Sequence, residues 1–242
     1  MILEIDFGNS RLKWRQVAQN GTKGPVGWLA TSALNGGLDI PLTALPRRIR
    51  VASVRGPADE AALSVWAEAR FGIVPEFARS TAKAAGVLNG YDIPSALGVD
   101  RWLAVLSAFS TQAEPAVVMD FGTAMTADVI SSDGRHLGGF IAPGLSTMKR
   151  SLLWGTDRVR FEETLFIESL HPAPNTQSAV DRGIMLAVTG FATSCWAEAR
   201  GISGAGKALL TGGDAAAIAP YLTFPLEIRP DLVLDGLAIA LP

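Results

Sequence analysis

The alternation of apolar and polar positions along the chain predicts a mixed α/β protein. Short apolar runs bounded by glycine or polar residues predict strands at 2–6, 12–17, 49–53, 72–76, 127–131, 138–141 and 208–211. Longer segments rich in apolar positions predict helices at 57–71, 98–110, 146–153 and 179–201. Because strands open each half of the chain and helices follow them, this order predicts two α/β domains of the ribonuclease-H-like type.

One phrase occurs twice within this pattern. An apolar strand ends in Asp6-Phe-Gly-Asn-Ser10, and a second apolar strand ends in Asp120-Phe-Gly-Thr-Ala124. A strand that delivers a carboxylate and then a tight glycine turn suits a metal-bound phosphate. The turn amides can point at phosphate oxygens, and the carboxylate can hold a cation or its water shell. Two copies about half the chain apart predict two related half-domains that face each other across one nucleotide cleft.

The boundary between these halves is predicted just before the second copy. The segment Gln112-Ala-Glu-Pro115 is polar and ends in proline, and the second aspartate-bearing strand follows it directly. We therefore expect an N-terminal domain at 1–112, which carries the phosphate loop, and a C-terminal domain at 113–242.

Composition narrows the range of partners. Hydrophobic residues make up 48% of the chain and charged residues 18%, as in ordinary globular proteins. A formal net charge of −2 without a basic stripe argues against nucleic acid. No stretch approaches the ~18 uninterrupted apolar residues of a membrane helix, and no secretory signal is visible. The single cysteine, Cys195, excludes an internal disulfide and suits a reducing compartment. We expect a cytoplasmic protein that binds neither membranes nor nucleic acid.

The first loop, from Asp6 to Lys13, has two interpretations. Gly8 permits the turn, Asn9 and Ser10 offer polar groups, and Lys13 supplies a cation for phosphate oxygens. A β-hairpin with an Asx-type turn would use the same residue types for structural reasons alone. The second copy of the phrase favours the phosphate-binding interpretation.

Three further segments could serve either structure or chemistry. The carboxylate and guanidinium of Gly98-Val-Asp-Arg101 stand at a helix start, where aspartate can simply cap the helix or can act as a base beside an anion clamp. The segment Gly138-Gly-Phe-Ile-Ala-Pro-Gly144 could form an ordinary turn or let the backbone approach a ligand closely. Asn175-Thr176 could cap the next helix and offer a hydroxyl to a substrate.

Together these motifs resemble the type III pantothenate kinase family, also described as the Bvg accessory factor family, within the acetate kinase–sugar kinase–Hsp70–actin superfamily. The resemblance spans nearly the whole chain and keeps the family's order. It is carried by Asp6-Phe-Gly-Asn-Ser10, Gly98-Val-Asp-Arg101, Asp120-Phe-Gly-Thr-Ala124, Gly138-Gly-Phe-Ile-Ala-Pro-Gly144, Asn175-Thr176 with Ala179, and Thr211-Gly-Gly213. The chief departure is Ser10, where family members often carry threonine; the hydroxyl is kept.

The resemblance implies two actin-like ATPase domains with a nucleotide cleft between them, and phosphorylation of pantothenate by ATP as the first step of coenzyme A biosynthesis. It implies Asp100 as the proton acceptor and Asp120 as the ligand of a monovalent cation, K⁺ or NH₄⁺, besides the Mg²⁺ that accompanies ATP. The implied ATP-binding residues are Asp6, Phe7, Gly8, Asn9, Ser10, Arg11, Leu12, Lys13 and Thr123. The implied pantothenate-binding residues are Tyr91, Gly98, Val99, Asp100, Arg101 and Thr176. The family is typically homodimeric.

Two alternatives to a pantothenate kinase stay open at this point. The same fold could carry another small-molecule kinase or a phosphatase, since fold does not fix the reaction. The chain could also be a non-catalytic accessory protein that binds nucleotide or a regulatory partner. The presence of Asp6, Asp100 and Asp120 favours an enzyme.

Overall fold

The computed structural model describes residues 1–36, 38–112, 114–155 and 169–242. The strands are β1 Ile2–Phe7, β2 Arg11–Val17, β3 Gly27–Ala30, β4 Arg48–Ser53, β5 Glu76–Phe77, β6 Lys83–Ala84, β7 Val87–Leu88, β8 Ala116–Phe121, β9 Ala124–Ile130, β10 His136–Pro143, β11 Ala208–Thr211 and β12 Leu226–Ile228. The α-helices are α1 Pro57–Phe71, α2 Val99–Gln112, α3 Leu145–Gly155, α4 Thr176–Ser203, α5 Ala215–Ile218 and α6 Leu232–Ala240. None of the helices in these ranges is long and apolar enough to cross a membrane.

The chain divides into two compact units. Unit 1 comprises Met1–Thr111 and Asp231–Pro242, and unit 2 comprises Gln112–Pro230. In unit 1 a five-stranded sheet has the order β3-β2-β1-β4-β5, with β1 antiparallel to β2 and parallel to β4. Leu3, Ile5 and Phe7 alternate along β1 and point into one buried core, as the two-residue period of a strand requires.

Unit 2 repeats this sheet. Its order is β10-β9-β8-β11-β12, with β8 antiparallel to β9 and parallel to β11. Val117, Met119 and Phe121 occupy the places on β8 that the core residues occupy on β1, and α4 packs over them. The repeated phrase in the sequence therefore corresponds to a repeated topology, which confirms the expectation of two related α/β halves.

The opposite face of β1 carries the charged residues Glu4 and Asp6. Glu4 is buried and accepts hydrogen bonds from Arg15 Nε at 2.7 Å and from Arg50 Nη1 at 3.2 Å. Arg15 Nη1 also reaches Asp235 Oδ1 on α6, at 2.7 Å. Buried charges are tolerated only when they are paired and hydrogen-bonded in this way. The network joins β1, β2, β4 and α6.

The position of α6 corrects the predicted division of the chain. The prediction assigned all of 113–242 to the second domain, whereas Asp231–Pro242 belongs to unit 1. There α6 packs against β1 and β4, and Asp235 joins the charge network. The predicted boundary after residue 112 lies one residue from the observed one. Ala113, within the predicted break, lies outside the described residues.

Most predicted elements are present, with shifted ends. The predicted helix at 57–71 has the observed bounds, and the helix predicted at 179–201 spans Thr176–Ser203 because the Asn175 side chain caps it earlier. The strand predicted at 72–76 is wrong over most of its length. Gly72 instead ends α1 with a φ of 68°, and only Glu76–Phe77 pair as a strand.

Gly236→Ala tests the close packing of α6 in unit 1. A Cβ atom at Gly236 would lie 2.2 Å from the carbonyl oxygen of Leu103 on α2. Because both groups belong to helix backbones, one of the two helices would have to move to accommodate it. We expect a loss of about 1–3 kcal/mol in the free energy of unfolding, measured by urea denaturation. Gly190→Ala is the control, because that glycine lies in α4 and its added Cβ would meet nothing within 4 Å. An equal effect of the two variants would contradict the packing argument.

Candidate active site

The first loop connects β1 to β2 in a hairpin. Asp6 pairs with Lys13 and Phe7 with Leu12, so residues 8–11 form the turn. The amide of Gly8 donates to the carbonyl of Arg11 at 3.0 Å. A Cβ at Gly8 would lie 2.9 Å from that same oxygen, so the tight turn requires glycine. The loop is therefore a real hairpin turn, as its structural interpretation predicted, and the phosphate-binding interpretation has to use the same geometry.

Thr31, which directly follows β3, holds this loop in place. Thr31 Oγ1 donates to the carbonyl of Gly8 at 3.1 Å, and its amide donates to the carbonyl of Ser10 at 3.2 Å. Asn9 and Ser10 remain exposed at the tip, whereas Phe7 and Leu12 are fully buried. Phe7 and Leu12 can therefore contact a ligand only through their backbone groups, whereas Asn9 and Ser10 also offer polar side chains to solvent.

The carboxyl of Asp6 lies in an unfavourable electrostatic environment. Burial raises its pKa to about 6; Lys13, opposite on β2, lowers the pKa, and the nearby charge of Asp100 raises it. The influence of Asp100 shows that the start of α2 lies within electrostatic range of the loop. Two separately predicted motifs, the first loop and the start of α2, are thus brought together in unit 1.

The start of α2 has a fixed geometry. Asp100 is half-buried, and its Oδ1 accepts a hydrogen bond from the amide of Arg101 at 2.8 Å. A Cβ at Gly98 would lie 2.8 Å from that carboxylate oxygen, so glycine leaves room for the carboxylate. Asp100 is the second residue of α2, so its side chain bonds within the first turn and does not cap the helix from the position before it. Its charge also lies within electrostatic range of Asp6.

The guanidinium of Arg101 is buried and oriented. Its Nη1 donates to the hydroxyl of Tyr91 at 2.7 Å, and its Cζ lies 5.6 Å from the centroid of the Tyr91 ring. The side chain is held both by a hydrogen bond and by the aromatic face. The structure thus brings together Tyr91, Asp100 and Arg101, although Tyr91 is ten residues away in sequence from Arg101.

The second loop, in unit 2, is one residue shorter than the first. Asp120 pairs with Thr126 and Phe121 with Met125, so residues 122–124 form the turn. The amide of Gly122 donates to the carbonyl of Ala124 at 3.0 Å. Both copies of the phrase therefore form strand-ending turns with an aspartate one residue before the last strand position, but the two turns have different lengths.

Glycines pack closely around the second loop. Gly212 follows β11 with a φ of 94°, and a Cβ there would lie 2.4 Å from both Asp120 Oδ1 and the carbonyl of Phe121. A Cβ at Gly144 would overlap the carbonyl of Gly122. The glycines of the 138–144 and 211–213 motifs thus allow close backbone packing against the Asp120 turn.

Thr123 and Thr176 lie on different elements of unit 2. Thr123 is exposed in the turn, and its carbonyl accepts hydrogen bonds from the amide of Gly144 at 3.0 Å and from Thr147 Oγ1 at 2.7 Å. Thr176 is the exposed first residue of α4, and Asn175 Oδ1 caps that helix by accepting from the amide of Ser178 at 2.9 Å. The capping interpretation of Asn175 is correct, and it leaves the Thr176 hydroxyl at the surface.

One buried ion pair near these segments escaped the sequence analysis. Lys149 Nζ on α3 donates to Asp181 Oδ1 on α4 at 2.6 Å, and Gln177 Nε2 donates to Asp181 Oδ2 at 2.8 Å. The pair fixes the first turns of α4, which carry Thr176, against α3. No sequence signal paired Lys149 with Asp181, because their contact spans 32 residues.

The chain is similar to known proteins along most of its length. A family model described as type III pantothenate kinase matches residues 2–198, a range that contains every predicted site residue. This chain belongs to the type III pantothenate kinase family. Curated type III pantothenate kinases match it along its length: the protein of Ectopseudomonas mendocina (strain ymp) is 38% identical, with 100% of this chain and 99% of the relative covered. The protein of Pseudomonas paraeruginosa is 39% identical with the same coverage.

Solved structures support the fold assignment. A conserved protein of Campylobacter jejuni, assigned to the Baf family of transcriptional activators, superposes with a TM-score of 0.63 at 22% identity, covering 98% of this chain and 95% of that one. A protein of Sinorhizobium meliloti described as a 2-dehydro-3-deoxygalactonokinase gives 0.56 at 14% identity, covering 99% and 98%. The two α/β units of this family member have the fold of actin-like ATPases and sugar kinases, as predicted.

Asp6→Asn tests whether ionisation of the Asp6 carboxyl destabilises the folded protein. Because the folded protein raises the Asp6 pKa from an ordinary 3.8 to about 6, it holds the proton more tightly than the unfolded chain. The carboxyl's contribution to the free energy of unfolding therefore falls as the pH rises from about 4 through about 6. Asparagine cannot ionise, so we expect the variant to gain stability relative to the unmodified protein over this window, measured by thermal unfolding.

Asp133→Asn is the control with the opposite sign. The hydrogen bond from Ser131 lowers the pKa of Asp133, so ionised Asp133 is favoured by folding. Its replacement should lose stability relative to the unmodified protein as the pH rises to the ordinary aspartate pKa of 3.8, and the loss should stay constant at higher pH. A pH-independent difference for Asp6→Asn would contradict the electrostatic cost.

Proposed function

We propose that this member of the family transfers a phosphoryl group from ATP to pantothenate, giving 4'-phosphopantothenate in the first step of coenzyme A biosynthesis. The observation that carries the proposal is the match of this chain to type III pantothenate kinases along its length. The site agrees with this function, because the Asp100 carboxylate lies within electrostatic range of Asp6 in a loop suited to phosphate. Family membership supplies the substrate class.

The proposed ATP contacts use the two strand-ending turns. In unit 1 the exposed tip, Asn9 and Ser10, offers backbone amides and polar side chains, and Lys13 offers a cation. The buried Phe7 and Leu12 contribute only main-chain groups, and Asp6, Gly8 and Arg11 complete the loop. In unit 2 the exposed Thr123 offers a hydroxyl. Backbone amides in such turns are suited to phosphate oxygens because they carry fixed partial positive charge.

The proposed pantothenate contacts centre on Arg101. Its buried guanidinium, oriented by Tyr91, can hold an anionic or carbonyl oxygen of the substrate through charge-assisted hydrogen bonds. Gly98 and Val99 can contact the substrate through the backbone, since Val99 is buried and Gly98 has no side chain. Thr176 adds a surface hydroxyl. A desolvated substrate carboxylate requires such partners.

In the proposed reaction Asp100 accepts the proton of the pantothenate hydroxyl as that oxygen attacks the γ-phosphorus. The bond from the γ-phosphorus to the bridging oxygen breaks, and ADP leaves with that oxygen. Phosphoryl transfer depends mainly on positioning and on neutralising the charge spread over the phosphate oxygens. Lys13 and the loop amides supply part of that neutralisation. The bond from Arg101's amide keeps the Asp100 carboxylate in one orientation at the helix start.

Two cations are part of the proposal. Among the described residues no three His, Cys, Asp or Glu side chains converge on a metal centre, so a cation there would be shared with substrate or backbone oxygens. Asp6 suits Mg²⁺, which prefers one or two carboxylates with phosphate oxygens and would neutralise charge on the transferred group. Asp120, a carboxylate beside turn carbonyls, suits K⁺ or NH₄⁺.

We further propose that the protein is a cytoplasmic homodimer. Large exposed apolar side chains of unit 2 concentrate on β10 and α3, namely Leu137, Phe140, Ile141, Leu152 and Trp154, the last 84% exposed. β10 is also an edge strand of its sheet. Exposed apolar side chains favour association, because association removes their apolar surface from water. A buried free Cys195 and the use of ATP fit a reducing cytoplasm.

Asp100→Asn tests the proton acceptor. Asparagine can keep the hydrogen bond from the Arg101 amide but cannot accept a proton, so we expect kcat to fall about 10²–10⁴-fold while the fold is retained. ADP and phosphopantothenate are measured with and without potassium, and circular dichroism checks folding. Asp92→Asn, at an exposed carboxylate of the same unit, is the control and should leave kcat unchanged. Near-normal turnover of Asp100→Asn would exclude the role, and ATP binding without turnover by the unmodified protein would favour an accessory function.

Ile141→Glu tests the dimer. Ile141 is 63% exposed on the edge strand β10, and a carboxylate there should be expelled from an apolar interface. We expect light scattering after size-exclusion chromatography to report a monomer. Val74→Glu in unit 1 is a matched control, because that side chain is 67% exposed and lies outside the proposed interface. A monomeric unmodified protein, or a dimeric Ile141→Glu variant, would contradict the proposed interface.

A further inference from the structure

The strand beside β1 delivers an arginine to the phosphate loop. β4 runs parallel to β1, with Ser53 opposite Phe7, and the amide of Val54 extends the pairing by donating to the carbonyl of Phe7 at 3.3 Å. The residues that follow the two strands therefore lie side by side. Arg55 Nη1 donates to the carbonyl of Asn9, at the tip of the loop, at 3.4 Å.

The Arg55 side chain is held in place but not enclosed. Its guanidinium bonds the Asp59 carboxylate in the first turn of α1, with Nε to Oδ2 at 2.8 Å. Its Cζ lies 5.9 Å from the centroid of the Phe7 ring. The side chain is 29% exposed, so solvent, or a ligand in its place, still reaches the guanidinium. A cation anchored at the loop tip with an open edge is suited to an anion.

We propose that Arg55 is an additional phosphate-binding residue, which contacts the phosphate chain of ATP in the Asp6–Lys13 loop and is positioned by Asp59. The inference rests on the proposed kinase function. The two cationic residues of the loop itself already interact with other groups. Arg11 lies over the Trp28 ring with Cζ 4.9 Å from its centroid, and Lys13 interacts electrostatically with Asp6. A guanidinium presents several donors in a rigid fork that matches phosphate oxygens.

The competing explanation is an ordinary surface ion pair that only holds the loop to α1. Such pairs contribute little to stability. The same helix offers a matched example, because Arg79 makes a two-pronged ion pair with Glu60, the residue after Asp59. Among the described residues the Arg79 guanidinium bonds Glu60 and the carbonyl of Ala78 and lies over the Phe77 ring, none of which belongs to the loop. Arg79→Gln therefore removes a comparable arginine–carboxylate pair from the same first turn without touching the loop.

The test compares Arg55→Gln with Arg79→Gln in the full-length protein. Calorimetry at low salt should give ATP binding weaker by about tenfold or more for Arg55→Gln and unchanged for Arg79→Gln. Arg55→Lys should be intermediate, since it keeps the charge but loses the fork. Adenosine, which lacks phosphate, should bind both variants with equal affinity, and the KM for pantothenate should stay unchanged in both.

Salt dependence separates direct contact from loop positioning. A cation that touches phosphate makes ATP binding weaken as salt rises, so Arg55→Gln should show a shallower dependence than the unmodified protein. ATP affinity and salt dependence equal to those of Arg79→Gln would overturn the proposal, as would an equal loss of adenosine binding. If Arg55→Gln fails to fold, the same comparison is made with Arg55→Lys. Failure of the unmodified protein to form phosphopantothenate would overturn the proposed function, whereas Arg55 is judged by ATP binding alone.

Discussion

The rest of the structure depends on the parallel pairing of each central strand with its neighbour. β1 pairs with β4 in unit 1, and β8 pairs with β11 in unit 2. Parallel strands end at the same edge of a sheet, so the loops that follow them are brought together there. In unit 1 this pairing sets Arg55 beside Asn9. In unit 2 it sets Gly212 against the carboxylate of Asp120. The chemistry-bearing turns are local in sequence, but their neighbours are supplied by the sheet.

The two carboxylates on the charged face of β1, Glu4 and Asp6, differ in how well their charges are compensated. Glu4 is fully paired by Arg15 and Arg50, so its burial is compensated. Asp6, two residues further along the same face, has Lys13 as its cationic partner and the repelling charge of Asp100 nearby, and its pKa is raised. Proteins tolerate such unfavourable groups where a ligand will complete them. The cost of folding Asp6 into this site is consistent with a cation arriving with the substrate.

Local sequence was sufficient for the strand-ending turns, because each requirement falls within a few residues. Gly8 is needed where the first turn folds back on itself, and Asn175 caps the helix that starts one residue later. Sequence failed where a contact is distant. The association of α6 with unit 1 depends on Gly236 meeting Leu103 and on Asp235 meeting Arg15, and neither pair has a local pattern. The strand predicted at 72–76 failed because Gly72 stops α1 in a left-handed conformation, which apolar periodicity does not report.

The sequence by itself determined the two aspartate-bearing turns, a helix start within a residue or two of Asp100, and the family. These are encoded by short runs of residues in a fixed order. Only the tertiary structure decided which groups share an environment. It set Asp100 within electrostatic range of Asp6, stacked Arg101 on Tyr91, and brought Arg55 to the loop tip. The physical reason is that burial, charge and hydrogen-bond partners are set by distances in space, which strand pairing and helix packing fix between segments far apart in the chain.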